Sequence, residues 1–592
     1  MMETKAETAG GGREAWTRRR WCLWLAIALV VLGAASNAFY LWHNCPLDLS
    51  EDESHYWEWS RHLDYGYYSK PPGIAWVIWA AVKLGGSIMP VVRMPAVLFG
   101  LLSGLLSLFL ARRVFRDDRA ALAVIVLSAA VPMFAVGSLL ITIDSPMYLC
   151  WAASVYCLWR AVEENAKRKT QNTKPWAGWL YLAGAACAAG MLFKPVLIAV
   201  PICAALGAMF DEGIRRGVKR WHSLGALWLV LLSFVPMVIW NGQHGWVMFK
   251  HIGTQGGFVG AAEAKQSYAL ETLKRFGNFL GGQAGGMGGA MFVLLVIGVV
   301  VAWRWARELG RKSAIMPLGA SAATELAQDR TRWVFLLSFA LPLWVFYFLM
   351  NFWKGTEPNW PAASYFAGLV LLAGVFVQGW NAADALMRKR WRVWGTNVIA
   401  WGFALTMLAM NLQRFYPLAA RHLDGLKGTP QYTKSLWFPG RWDLAAKKLR
   451  GFAERAAVVQ KQVEELRKET GQQPLVVTTR YDTSSSLAFY LPGQPFVYCI
   501  MSNVGERQSQ YDLWPGLNQA DDAGHLRFAG RPMVVVIVSD QAKVMAVLRS
   551  AFERVGPVER MPAWYHGILL REVSMVKAYG FRGLPETTSS SY

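Results

Sequence analysis

No two of the seven cysteines in this chain of 592 residues stand at a spacing that would hold a metal ion. Beyond Arg414 there is neither a glycine-rich phosphate loop nor a nucleophile elbow, which argues against independent catalysis in that part. Acidic side chains are also few, 39 against 61 Lys and Arg, leaving a formal net charge of +22. Such an excess invites a nucleic-acid partner, but the placement of the positive residues removes the need for one.

What is abundant is apolar surface: 54% of the chain is hydrophobic, with 30 Trp, and the mean hydropathy is +0.24. One soluble domain could not bury that much. Windows of about 20 residues, enough to cross roughly 30 Å of hydrocarbon, recur from Trp21 to Asn411. Eleven transmembrane helices are expected, at residues 21–42, 92–111, 120–138, 143–160, 176–193, 195–210, 222–240, 285–303, 333–351, 361–380 and 393–412. Three arginines before the first window could open a signal peptide. The apolar run is longer than a typical signal core, however, and an uncleaved helix is expected.

Lys and Arg near helix ends stay cytoplasmic. Alternate connections, from the tail before Trp21 to residues 388–392, carry five, four, five, four, six and four of them, whereas the opposite loops carry two, none, one, four and one. The tail 1–20 is therefore expected inside, with loop 44–91 and everything after Arg414 outside. The charge excess is then topology signal and attraction to anionic membrane lipids, with no nucleic acid implied. Cys45 and Cys499 fall on the outer side, either as a disulfide or as two unrelated thiols.

Residues 416–592 read as an extracytoplasmic α/β domain. A charged amphipathic helix over 441–469 is followed by strand-like runs at 474–479, 496–500 and 533–538, and the tail 587–592 reads as disordered. A second long outer loop, 241–289, is rich in glycine and suits a mobile lid, a partly re-entrant segment or an ordinary loop.

The chemistry gathers on the outer loops. Glu51, Asp52 and Glu53 stand together after the first helix, and three adjacent carboxylates repel unless a cation, a metal or a substrate hydroxyl uses them. Aromatics follow, Tyr56 and Tyr68 among them, as an interfacial belt or as substrate contacts. Lys70 before Pro71-Pro72 sits on a rigid turn, where an ammonium could hold a phosphate or simply snorkel. Asp144 and Glu357 each open a helix, as N-caps or as functional groups. His244 could bind a ligand or hydrogen-bond within its loop. Four separate outer loops thus bring polar groups to one membrane face.

Asp52-Glu53 with Tyr56-Trp57-Glu58-Trp59-Ser60, Gly66-Tyr67-Tyr68-Ser69-Lys70-Pro71-Pro72, the turn 142–146, the run 240–246 and Glu357-Pro358-Asn359-Trp360-Pro361 resemble bacterial glycosyltransferase family 39 proteins. These are grouped with the protein O-mannosyltransferases and the aminoarabinose transferases of lipid A. The resemblance runs over about residues 20–415, with 489–493 and 509–515 also similar to the bacterial members. It implies a GT-C fold for the membrane domain 21–415, in a bacterial inner membrane. It implies inverting transfer of a sugar from a polyprenyl-phosphate donor to a hydroxyl of a glycolipid (lipid A), a glycan or a protein. Carried over, Asp52 would take the acceptor proton, Glu53 would support it, and Lys70, with Arg93 as a second cation, would hold the lipid phosphate. The glutamate that helps bind a metal in the aminoarabinose transferases is Ser69 here. A divalent metal is thus left open, with His244 and the acidic triplet as its only sources of ligands, and no other cofactor is implied.

Two rivals belong to other classes. A transporter or flippase of lipid-linked sugars would show ionisable groups at mid-membrane and paired broken helices, and neither is evident. A non-catalytic export subunit would leave the acidic first loop without a task.

Overall fold

A computed structural model describes residues 19–43, 45–171, 176–218, 221–257, 268–315, 320–412, 414–415, 449–565 and 568–586. The tail 587–592 and residues 416–448, the first part of the expected C-terminal domain, lie outside these residues.

All eleven expected windows fall on helices. Among the described residues, seven helical stretches are long and apolar enough to cross a membrane, Arg20–His43, Met89–Phe115, Trp221–Gln243, Ala290–Ser313, Ala322–Met350, Ser364–Ala382 and Ala385–Met410, and shorter apolar ones lie at Gly73–Gly85, Gly178–Met191 and Pro195–Phe210. The chain is a multi-pass membrane protein. Three windows are broken where proline removes a backbone donor: Pro132, Pro236 and Pro342 each sit at the start of a second helix, Pro132–Gly137, Val235–Gln243 and Pro342–Met350. Ser364–Ala382 is the most enclosed of the seven and runs through the bundle core.

Several helices occupy stretches read as loop, among them Glu51–Arg61, Gly73–Gly85, Val247–Gln255 and Tyr268–Met287. Gly73–Gly85 follows the Pro-Pro turn. Tyr268–Met287 crosses the glycine-rich stretch, where a Cβ on Gly282 would lie 2.6 Å from Pro358 and one on Gly286 would lie 2.4 Å from Met133. Those glycines let neighbouring segments approach. The part of this loop over 258–267 lies outside the described residues.

The C-terminal domain is a six-stranded sheet: β1 (Leu475–Thr478), β2 (Tyr498–Cys499), β3 (Met533–Ile537), β4 (Phe552–Val555), β5 (Glu559–Tyr565) and β6 (Ile568–Phe581). The order is β2-β1-β3-β6-β4, with β5 pairing β6; β1 runs parallel to β2 and β3, and β6 is antiparallel to its neighbours. The parallel step from β1 to β2 needs a crossover, which the helix Tyr481–Tyr490 supplies. The amphipathic helix runs over Phe452–Thr470, and residues 441–448 of its expected span are not among those described.

This domain does not hang free. Trp57, Trp59, Tyr67 and Ile74 of the first loop share one buried core with Val459, Val463, Phe489 and Val534. Polar ties reinforce it: Asp48 accepts the Phe452 N–H (2.9 Å), capping a helix far away in sequence, and Leu49 N–H donates to the Tyr490 hydroxyl (2.6 Å). All seven cysteines, Cys45 and Cys499 included, are free thiols.

Candidate active site

The acidic triplet opens a helix, Glu51–Arg61, rather than a loop. Ser50 and Glu53 form a capping box: Glu53 N–H donates to Ser50 Oγ (3.3 Å) and Ser50 N–H to Glu53 Oε2 (2.9 Å). Three carboxylates in a first turn also suit the helix dipole. Successive residues on a helix point about 100° apart, so the triplet is split three ways. Glu51 lies in the field of Arg455, Arg571 and Arg480 of the C-terminal domain.

Glu53 turns inward. Arg93 Nε and Nη2 clasp its carboxylate at 2.8 and 2.7 Å, and Ile141 N–H adds a third bond at 2.9 Å. Arg93 spends its remaining donors on the Leu47 and Asp48 carbonyls, at 3.1 and 2.6 Å, and on the sulfurs of Cys45 and Met89, each at 3.6 Å. Both side chains are fully buried. Arg93, expected as a second cation for the lipid phosphate, therefore has no donor left for one; the geometry makes the pair a strut between the first loop and the helix Met89–Phe115.

Asp52 is the member left over. It makes no hydrogen bond or ion pair with any described residue, and a solvent-sized molecule reaches it although protein surrounds it on nearly every side, as expected of a group lining an opening. Burial raises its pKa, and the charges of Glu53, Asp482 and Asp144 add to that, against the pull of Lys70.

Lys70 is held by its turn. Tyr67 N–H bonds the Lys70 carbonyl (3.1 Å), Tyr67 stacks on Trp59 at 4.4 Å, and a Cβ on Gly66 would meet the Trp240 ring at 2.7 Å. Its ammonium has no hydrogen bond or ion pair among the described residues. Burial lowers its pKa, Lys194 and Arg507 push the same way, and Asp52 and Asp144 oppose them, leaving it at about 8. Tyr56, packed on Trp59, faces the charges of Asp52 and Asp144; burial first and those charges second raise its pKa well above the usual value.

Asp144 does begin a helix, Asp144–Gln171, but its carboxylate reaches outward to Lys194 Nζ (2.7 Å) and Asn359 Nδ2 (2.6 Å), tying three segments together. Tyr68 and Glu357 line a neighbouring cavity of about 270 Å³ together with His251, Lys354, Trp360 and Arg507. Burial, then Lys70 and Arg507, hold the His251 pKa down at about 4, so its ring is neutral. His244 stands apart: its Nδ1 bonds the Trp240 carbonyl (2.8 Å) and its ring stacks on that indole.

Among the described residues no three His, Cys, Asp or Glu side chains converge as metal ligands. With Ser69 before Lys70, the donor set does not fit the metal that the resemblance raised. Reading the sequence missed Lys194, His251 and Arg507 as site residues. Asn359 lay within a quoted motif, but Arg507 carried no local signal.

The class these features define is the GT-C glycosyltransferase fold. Over 94% of this chain and 98% of the other, it superposes on the crystal structure of ArnT from Cupriavidus metallidurans bound to undecaprenyl phosphate, with a TM-score of 0.55 at 17% identity; the apo form gives 0.52 at 16%. Residues 69–240 match the dolichyl-phosphate-mannose-protein mannosyltransferase family. A 64-residue stretch, 10% of this chain and 12% of the relative, is 52% identical to the lipid A galacturonosyltransferase RgtD of Rhizobium johnstonii. Another of 189 residues, 31% of this chain and 32% of the relative, is 33% identical to the undecaprenyl phosphate-alpha-4-amino-4-deoxy-L-arabinose arabinosyl transferase of Pseudomonas aeruginosa. The chain thus matches no more than about a third of either relative's length. The resemblance to glycosyltransferase family 39 read from the motifs extends to these relatives and to the fold.

Proposed function

We propose that this protein is a glycosyltransferase of the bacterial inner membrane, moving a sugar from a polyprenyl-phosphate donor to a hydroxyl of lipid A or a similar envelope glycolipid at the outer face. The observation that carries the reading is an Asp52 and a Lys70 that bond no described residue yet stand close enough for each charge to act on the other. The names of the aligned relatives and of the ArnT complex support the donor and acceptor classes.

The acceptor oxygen attacks the anomeric carbon as the bond to the phosphate oxygen breaks, inverting that centre. Asp52 takes the acceptor proton during attack, and the leaving phosphate keeps the bonding electrons beside Lys70. The raised Asp52 pKa makes it a stronger base than an ordinary aspartate. Glu53 and Arg93 hold the helix that carries it. Clustering of these groups on the first loop and at helix ends, rather than in mid-helix, favours this reading over a transporter.

The test is transfer by purified protein in nanodiscs, with labelled polyprenyl-phosphate sugars and lipid A. Labelled lipid A together with released polyprenyl phosphate is the expected result. Failure of every donor to release polyprenyl phosphate would sink the proposal.

A further inference from the structure

The C-terminal domain sends one cation into the site. Arg507 lines the 270 Å³ cavity beside Tyr68, with its guanidinium over the Tyr481 ring at 5.1 Å from the centroid, and it makes no hydrogen bond or ion pair with any described residue. Five N–H donors in a half-buried position are thereby left without an acceptor. Arg507 also stands close enough to Lys70 and His251 for its charge to act on both. Two cations that repel each other, neither held in an ion pair with a described residue, mark a place for an anion even with the carboxylates of Asp52 and Asp144 within reach of Lys70.

The placement is built into the fold. Tyr68 N–H, two residues before Lys70, donates to Gln510 Oε1 at 2.6 Å. Gln510 stands three residues after Arg507, and its turn is fixed by a capping box between Ser509 and Asp512 and by the Ser502 hydroxyl on Asp512. The loop bearing Lys70 and the loop bearing Arg507 are thus held in register by one bond.

We propose that Arg507 completes the phosphate site of the lipid-linked donor, so that the phosphate is gripped by Lys70 from the first loop and by Arg507 from the C-terminal domain. The inference rests on the transferase reading and adds to it: the donor site is composite. A planar guanidinium can bond two phosphate oxygens at once, which Lys70 cannot do. The cavity walls Trp360 and Tyr68 leave room beside the phosphate for a sugar ring.

The experiment compares binding of polyprenyl phosphate and of polyprenol, which lacks the phosphate, to full-length protein in nanodiscs. The variants are Arg507→Gln, Arg507→Lys and the exposed control Arg560→Gln, with thermal unfolding measured alongside. Arg507→Gln should weaken polyprenyl phosphate by about tenfold or more and leave polyprenol unchanged. Arg507→Lys should recover part of the loss, and Arg560→Gln should match wild type. The inference is overturned if Arg507→Gln binds polyprenyl phosphate as wild type does, or if it weakens both lipids alike. If wild type does not distinguish the two lipids, the transferase reading falls, and this inference falls with it.

Discussion

Three adjacent carboxylates are given three tasks because a helix turns them apart. Asp52 and Lys70 could be singled out in the sequence, one as a member of three adjacent carboxylates and the other as a lysine on a rigid turn, but their roles as base and phosphate partner came with the family resemblance and are part of the proposed mechanism. The role of Arg93 was not: a lone arginine at a helix start reads as a free cation until its carboxylate, 40 positions away, is placed against it. The charges around the two open groups fix the pH dependence. In the proposed mechanism Asp52 acts deprotonated, and its pKa is raised, so activity should fall on acidification at a pH above the ordinary aspartate value of about 4. The same mechanism has Lys70 protonated, so activity should also fall as pH rises through about 8. Lys70→Arg keeps its charge at any pH reached, so the alkaline limb should flatten even if the rate drops. A kcat/KM profile checks both, and an alkaline limb unchanged in Lys70→Arg would remove Lys70 from the account.

The helix Glu51–Arg61 could have been read from its Ser50-to-Glu53 capping box; its acidic start suggested a loop instead. The helix Gly73–Gly85 was hidden by the two prolines before it, which look like a loop but sit where a helix start tolerates them. Two buried acids on the helix Glu51–Arg61 lead to stability tests. Glu53→Gln strands the Arg93 charge in the core and should cost about 3–5 kcal/mol, read as a lower unfolding temperature; no change would mean the strut is dispensable. Glu58 is fully buried, with one oxygen on Arg61 at 3.1 Å and the other without a hydrogen bond. Burial lifts its pKa to about 7. A raised carboxyl pKa favours the protonated fold, so this contribution is full below about pH 4 and is lost as pH rises through 7. Glu58→Gln should accordingly stabilise at pH 8 by roughly 1–3 kcal/mol and change little at pH 5. Equal unfolding shifts at both pH values would contradict that assignment.

At the scale of the whole molecule, the apolar windows were legible because hydropathy alone locates them, and the strands β1 and β3 because buried strands read as apolar runs. Strands β4 to β6 were not, since their polar and apolar residues mix, as in β5. Nor was the seam between first loop and C-terminal domain, whose contacts join residues some 400 positions apart. The seam buries side chains of both parts in one core, so a chain truncated after residue 415 should lose activity and leave the Glu51–Arg61 helix protease-sensitive. A truncated chain that transfers sugar normally would show that the domain is dispensable. The central claim is the open carboxylate, and the most direct measurement is sugar transfer by Asp52→Asn beside its binding of polyprenyl phosphate. The account predicts binding retained and transfer reduced by about 10²-fold or more; transfer at the wild-type rate would contradict it.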